Sequence, residues 1–274
     1  ISDEKGYVTP RGLEFYSILG EGGIGAIITG YQYVMKNGLQ LPFQTGNYED
    51  SQLEGLTQLS ARTKAHGSIV IGQIVHCGVR ANPKLFLDGG DIWGPSAIQD
   101  PASGITPVEV SKSQIQELVD AYANAARRLK TAGYDGVQIH GAHGYGINQF
   151  LSKAWNQRGD SYGGPLRKRY RFLAETLEAV RGLVGDEFPI LIKLNAHDFV
   201  EGGLTPEESL QIAKWLDDDG IDAIEVSGGG AASPKHLWPI SSRINRLEDE
   251  AYFRDYALMV KRSIGAPVIT VGGI

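Results

Sequence analysis

Short β-branched runs alternate with longer segments of helical period along this chain, and that alternation restricts its fold more than any other feature. The runs lie at Ile24–Thr29, Ile69–His76, Tyr134–His140, Pro189–Asn195, Ile221–Ser227 and Pro267–Val271. Their near-continuous apolar character marks strands covered on both faces, as in parallel sheets. Ser111 can cap a helix whose Ile115, Leu118, Val119, Tyr122, Ala126 and Leu129 recur at helical spacing until Gly133 stops it. Pro165 opens a second helix, with Leu166, Tyr170, Leu173, Leu177, Val180 and Val184 on one face. Thr205-Pro206-Glu207-Glu208 begins a third, which runs to about Asp219. Further helices are expected over Thr9–Leu19, Asp50–Ala65 and Leu247–Ser263. Repeated βα units predict an α/β fold around a parallel sheet.

Six strands fit either a doubly wound sheet or a TIM (β/α)8 barrel without its first strand at one end and its last strand and helix at the other. The chain opens at Ile1 without methionine and closes in the apolar run after Pro267. The expectation is therefore one barrel domain over residues 1–274, incomplete at both ends. The two longest insertions, 78–110 and 141–164, each follow a strand. Both would lie on the barrel face where active sites are built, and loops of that length are usually functional.

Composition narrows the function. The net charge of −6 and the lack of a basic run argue against nucleic acid. No apolar stretch approaches the ~18 residues of a membrane-spanning helix, and no signal segment is visible. A lone Cys77 excludes an internal disulfide framework and fits a reducing cytoplasm. A homo-oligomer is compatible with all of this. Glycine is in excess, 36 of 274 residues, about 13% against a usual ~7%.

Polar residues within the strands fall on one parity near their C-terminal ends: Gln73, Gln138 and His140, Lys193 and Asn195, Glu225 and Ser227. Side chains alternate across a strand, so each pair shares a face, and several strands doing this predict a ligand pocket. The G-x-G-x-x-G at Gly20–Gly25 closes a helix and precedes a strand, the reverse of a nucleotide-binding turn. Lys193, mid-strand, needs an anionic partner. An ion pair with an acid such as Glu225, a Schiff-base lysine of an aldolase, and a cation facing an anionic cofactor all satisfy the chemistry. His140 and His143 form H-x-x-H, but no third ligand stands near, so paired donors to a substrate oxygen with Tyr145 as proton source fit better than zinc. His76 ends its strand and either lines the same mouth or is structural. Gly272 and Gly273 follow the last strand, and Ser227 with Gly228 follows the one before. Both turns offer bare backbone of the kind that binds phosphate late in a barrel.

These motifs converge. The stretch Ile139-His-Gly-Ala-His-Gly-Tyr-Gly-Ile-Asn-Gln-Phe-Leu-Ser152, continuing through Asn156-Gln-Arg-Gly-Asp-Ser-Tyr-Gly-Gly164 to Arg169-Tyr-Arg-Phe172, closely resembles the signature of the Old Yellow Enzyme family of FMN-dependent ene-reductases and NADH:flavin oxidoreductases. Supporting blocks are Gly25–Gly30, Gly72–His76, Gly94–Ala97 before Thr106-Pro-Val, and Asp198-Phe with Gly202-Gly-Leu204. The resemblance implies a TIM barrel with FMN at its C-terminal mouth and NADH or NADPH as hydride donor. Gln73 then matches the glutamine on the flavin pyrimidine edge. Lys193 matches the cation beside flavin N1 and O2, which favours the third reading of that lysine. His140 and His143 match the pair that holds a substrate carbonyl oxygen, and Tyr145 the proposed proton donor. Gly30 and Tyr31 stand where backbone meets the flavin, Gly272 and Gly273 where it meets phosphate. The implied reaction takes hydride from NAD(P)H and reduces the C=C bond of a small α,β-unsaturated carbonyl compound. The family's first strand and its eighth, with a phosphate-binding arginine, have no counterpart here, which points to weak or no FMN binding and poor stability of this stretch by itself. A flavin-binding remnant without turnover is the non-catalytic alternative. His76-Cys-Gly-Val-Arg80 departs from the family's H-x-G-R order, so the resemblance assigns Arg80 no role.

Overall fold

The computed structural model describes residues 1–86, 88–241 and 244–273. Thr9 caps α1 (Pro10–Glu21), its hydroxyl accepting from the Gly12 N–H at 3.2 Å. The helix ends in the glycine cluster, where Gly22 donates to the Ile18 carbonyl and Gly23 turns with φ 80° into β1 (Ala26–Ile28). The cluster is thus a helix stop and not a nucleotide turn. Next come β2 (Gln32–Tyr33), α2 (Leu53–Lys64) and β3 (Ile69–Val75). A two-strand pair in the first long insertion is formed by β4 (Trp93–Gly94) and β5 (Val108–Glu109). The rest of the chain supplies α3 (Lys112–Thr131), β6 (Gly136–Gly141), α4 (Gly146–Leu151), α5 (Leu166–Val184), β7 (Ile190–Asn195), α6 (Pro206–Asp218), β8 (Ala223–Ser227), α7 (Arg254–Lys261) and β9 (Val268–Thr270).

All six expected strands form, and they pair in parallel in chain order, β1-β3-β6-β7-β8-β9, with β2 also on β3. A doubly wound sheet would reverse direction partway, whereas a sheet that only adds strands forward is the wall of a barrel. Among the described residues β1 and β9 are not paired with each other, so the sheet is a curled half-barrel.

One apolar cluster runs from Leu13 on α1 to Val260 on α7 between the helices and the outer face of the sheet. The six apolar positions expected on α3 are all buried, and a capping box between Ser111 and Gln114 starts the helix. Gly72 lets α3 come close: a Cβ there would stand 2.5 Å from Leu129 Cδ1.

Three local expectations change. The stretch expected as a helix over Leu247–Ser263 is helical as α7 only over Arg254–Lys261, after a short 3-10 turn at Leu247–Asp249. The Ala251 and Tyr252 N–H groups donate instead to the Gly273 and Gly272 carbonyls, and Ala251 has φ 48°, which interrupts the helical ladder. The helix expected from Asp50 opens as a 3-10 turn, Asp50–Gln52, before α2. The insertion after β6 also hides α4, buried along its whole length. Arg169 fastens that insertion. Its side chain is fully buried and donates to the Leu151 and Gly164 carbonyls and to Glu208 Oε1 on α6. No helix among the described residues is long and apolar enough to cross a membrane.

Candidate active site

The sheet register gathers the polar strand ends. Gln73 stands opposite Gln138, His140 opposite Lys193, Lys193 opposite Glu225, and Asn195 opposite Ser227. They border a cavity of about 520 Å3 at the strands' C-terminal ends, within the usual size range of ligand pockets. Nine of the residues singled out from sequence line it: Gly30, Tyr31, Gln73, His140, His143, Tyr145, Lys193, Glu225 and Ser227.

One chain of hydrogen bonds crosses its floor. Gln73 Nε2 donates to Gln138 Oε1 at 2.5 Å, Gln138 Nε2 donates to Glu225 Oε2 at 2.7 Å, and Lys193 Nζ pairs with Glu225 Oε1. The ion pair, the first of the three readings of Lys193, is therefore present, and the same lysine also borders the cavity. Gln73 itself is 6% exposed, and its Oε1 has no partner among the described residues.

The histidine pair sits at the end of β6. Burial holds His140 well below the usual imidazole range, with the nearby His143 and Lys193 adding to the effect. Burial, then Lys193, lowers His143 to about 3. Both rings are thus neutral near pH 7. The Ala142 N–H donates to His140 Nδ1 at 3.3 Å, which places the ring proton of His140 on Nε2. His143 is held in left-handed backbone, φ 60°, where its N–H donates to Asn195 Oδ1 at 3.1 Å. Asn195 is fixed in turn by donating to Asp198 Oδ1 and the Gly229 carbonyl. His143 Nε2 lies 2.7 Å from Ser227 Oγ.

Tyr145, the residue before α4, packs its ring edgewise on His140 with centroids 4.9 Å apart. Its hydroxyl donates to Gln40 Oε1 at 2.8 Å, and Tyr31 donates to the same oxygen at 2.9 Å. Burial raises the Tyr145 pKa far above the usual phenol value, so the hydroxyl stays protonated.

Other expected residues lie elsewhere. Gly228, Gly272 and Gly273 are outside the cavity. A Cβ on Gly228 would meet Phe253, and one on Gly272 or Gly273 would meet the Tyr252 ring or Ile244. His76 also turns away: its Nδ1 accepts from Gly78, its Nε2 bonds Asn37, and burial lowers it to about 4, a structural part. Among the described residues no three His, Cys, Asp or Glu side chains gather in a way that could hold a metal ion. A larger cleft of about 660 Å3, lined by residues from Phe199 to Tyr256, contains none of the expected site residues.

Gln40 and Arg80 border the cavity without a sequence signal for it. Gln40 lies in irregular chain between β2 and α2, where no periodicity points inward. Arg80 is buried and pairs with the fully buried Asp100 at 3.0 Å, a partner supplied by the insertion after β3.

Comparison with known proteins places this geometry. The model of the NADH:flavin oxidoreductase / NADH oxidase family matches residues 1–274. The chain is 35% identical to the NADH oxidase of Thermoanaerobacter brockii over all of its own length and 41% of that protein. It is 36% identical to the NADPH dehydrogenase of Clostridium acetobutylicum, covering 99% of the chain and 76% of the relative. It spans 65% of a Bacillus licheniformis NADPH dehydrogenase at 36% identity. Among solved structures, a 2-naphthoyl-CoA reductase complex superposes with TM-score 0.90 at 32% identity, over 97% of this chain and 42% of that one. An old yellow enzyme homologue from Zymomonas mobilis gives TM-score 0.78 at 25% identity, over 99% and 81%. With its parallel strands in barrel order and its signature intact across β6 and α5, the chain belongs to the NADH:flavin oxidoreductase / NADH oxidase family, the Old Yellow Enzyme family.

Proposed function

We propose that this chain is the FMN-binding catalytic part of an NAD(P)H-dependent ene-reductase that acts on small α,β-unsaturated carbonyl compounds. The observation that carries the reading is the joint placement of Gln73, Lys193, His140, His143 and Tyr145 around one cavity. The donor set fits a flavin: Gln73 offers an uncommitted amide oxygen to an N–H of the pyrimidine edge, and Lys193 offers a cation beside it. Gly30 and Tyr31 would pass along the ring, and Ser227, Gly228, Gly272 and Gly273 would lie toward the phosphate. Bound FMN supplies the hydride chemistry, receiving from NADH or NADPH and giving to the β-carbon of the alkene.

The protein's own residues do the rest. Lys193, paired with Glu225 among the described residues, sets positive charge where the reduced ring system becomes negative. His140 and His143, neutral because they are buried, polarise the substrate carbonyl by hydrogen bonding and not by proton transfer. Tyr145 keeps its proton until a strongly basic α-carbon forms, and then delivers it. One cavity serves both substrates in turn, so no separate dinucleotide fold is needed.

The ion pair with Glu225 engages Lys193 as an ammonium without a free lone pair, which disfavours the Schiff-base aldolase reading. Titration of the protein with FMN, followed by loss of flavin fluorescence, tests the proposal. One FMN per chain is expected, with Gln73→Ala weakening it about tenfold, roughly one hydrogen bond. No binding, or equal binding by the variant, would count against it.

A further inference from the structure

A neutral imidazole carries one N–H, so a histidine that must donate to a substrate oxygen depends on which nitrogen holds the proton. For His140 the backbone decides: Ala142 N–H occupies Nδ1 and leaves Nε2–H for the cavity. For His143 the deciding contact is Ser227 Oγ, 2.7 Å from Nε2. Ser227 is 1% exposed, and its hydroxyl has no other hydrogen-bond partner among the described residues.

Two arrangements of that contact are open. If His143 Nε2–H donated to Ser227, the serine proton would be buried without an acceptor and His143 Nδ1 would be left as a bare acceptor. If Ser227 donates to Nε2, the serine is satisfied, and the one uncommitted group is a His143 Nδ1–H on a ring that borders the cavity. Each arrangement leaves one donor without a protein partner among the described residues, but the first leaves it on Ser227, 1% exposed, and the second on His143, which is only partly buried. An unmade buried donor costs about 1–3 kcal/mol, so the second arrangement wins. Asn195 completes the frame by holding the His143 backbone N–H, and the two rings stand 5.0 Å apart between centroids.

We propose that Ser227 is a positioning residue that locks His143 as its Nδ1–H tautomer, so that His140 through Nε2–H and His143 through Nδ1–H each offer one donor to the same substrate oxygen. Ser227 thereby commits its hydroxyl to the histidine pair and leaves its backbone for the flavin side that its place after β8 suggested. The tautomer assignment stands on the structure alone; the shared oxygen rests on the ene-reductase reading.

Long-range 1H–15N correlation spectra of the 15N-histidine-labelled protein near pH 7.5 separate Nδ1–H from Nε2–H, and single variants assign the six histidines. The expected result is Nδ1–H for His143 and Nε2–H for His140. Ser227→Ala should move His143 to Nε2–H, while Ser227→Thr, which keeps a hydroxyl, should retain Nδ1–H. An Nε2–H His143 in the parent protein, or Nδ1–H persisting in Ser227→Ala, would overturn the assignment whether or not the protein reduces alkenes, and the parent spectrum decides even if the alanine variant does not fold. In the flavin-loaded protein, Ser227→Ala should slow reoxidation by 2-cyclohexen-1-one about 10²-fold, the effect of losing one oxyanion-type donor, with Ser227→Thr restoring much of it. An alanine variant as fast as the parent would refute the shared-donor role.

Discussion

Buried neutral histidines make the stability of this fold steeply dependent on pH below neutrality. Burial lowers His76 to about 4 and His143 to about 3, and lowers His140 as well. In the unfolded chain each returns to ~6.5. Between those values the unfolded state binds more protons, so stability is complete above about pH 6.5 and is lost as pH falls toward the folded values. At pH 5 an unfolded histidine carries about one proton and the folded His76 and His143 carry almost none. Each then contributes a slope of about 1.3 kcal/mol per pH unit, and each has lost about 2 kcal/mol relative to pH 7.5. His76 and His143 together remove about 4 kcal/mol, a large fraction of an ordinary folding free energy, and His140 adds in the same direction. Carboxylates held low by their partners, such as Asp50 beside Arg128 and Asp160 beside Arg158, act only below about pH 4, outside this window. Urea unfolding at half-unit steps from pH 7.5 to 5.0 measures the slope. His76→Gln, outside the cavity lining, should reduce it near pH 5 by about 1.3 kcal/mol per unit whatever it does to stability at pH 7.5, and His143→Gln by a similar amount. An unchanged slope in both variants would refute the reasoning.

Three further outcomes follow from the packing and the site. Arg169→Met leaves the Leu151 and Gly164 carbonyls and Glu208 without their donor and should cost about 3 kcal/mol, the lower end for breaking a buried pair because Lys153 remains 3.6 Å from Glu208; denaturant titration reads it. Gly72→Ala places a methyl 2.5 Å from Leu129 Cδ1 and should cost about 1–3 kcal/mol by overpacking, with Leu129→Ala in the same chain relieving part of the clash, as thermal unfolding of the single and double variants would show. Tyr145→Phe should slow the enone half-reaction about 10²-fold or more in stopped-flow, while flavin reduction by NAD(P)H keeps its rate.

Periodicity and capping carried most of the scaffold. Six strands and five of the six helices stand close to where apolar spacing, Ser111, Thr205 and the terminal glycines put them. The elements it could not show are those that depend on distant partners. Helix α4 is six residues in a glycine-rich stretch and exists because it is buried all round. The break before α7 exists because Gly272 and Gly273 capture the N–H groups of residues 252 and 251. The site was legible in its strand-borne residues, since parity places them, and illegible at Gln40, which reaches the cavity from irregular chain, and at Arg80, which reaches it from the 3-10 turn Gly78–Arg80.

The family signature divides into residues that border the cavity and residues that fasten a loop. His140, His143 and Tyr145 face the cavity. Asn156 bonds the Phe150 and Tyr162 carbonyls, Arg158 bonds the Pro95 and Val110 carbonyls, and Arg169 reaches Leu151, Gly164 and Glu208. These side chains hold the insertion after β6 against its neighbours, so the specificity of the motif reflects a loop that must be built as much as a reaction that must be run. Gly163 belongs with them, since a Cβ there would stand 2.2 Å from the Arg158 carbonyl oxygen. Glu225 shows the opposite case, a residue outside the signature that closes the polar chain from Gln73 through Gln138 to Lys193.

The most direct test of the account is an anaerobic absorbance experiment on the FMN-loaded protein. NADH or NADPH should bleach the oxidised flavin bands, and 2-cyclohexen-1-one added in the absence of oxygen should restore them at the expense of its C=C bond. Flavin that nicotinamide does not bleach, or reduced flavin that oxygen reoxidises and the enone does not, would contradict it.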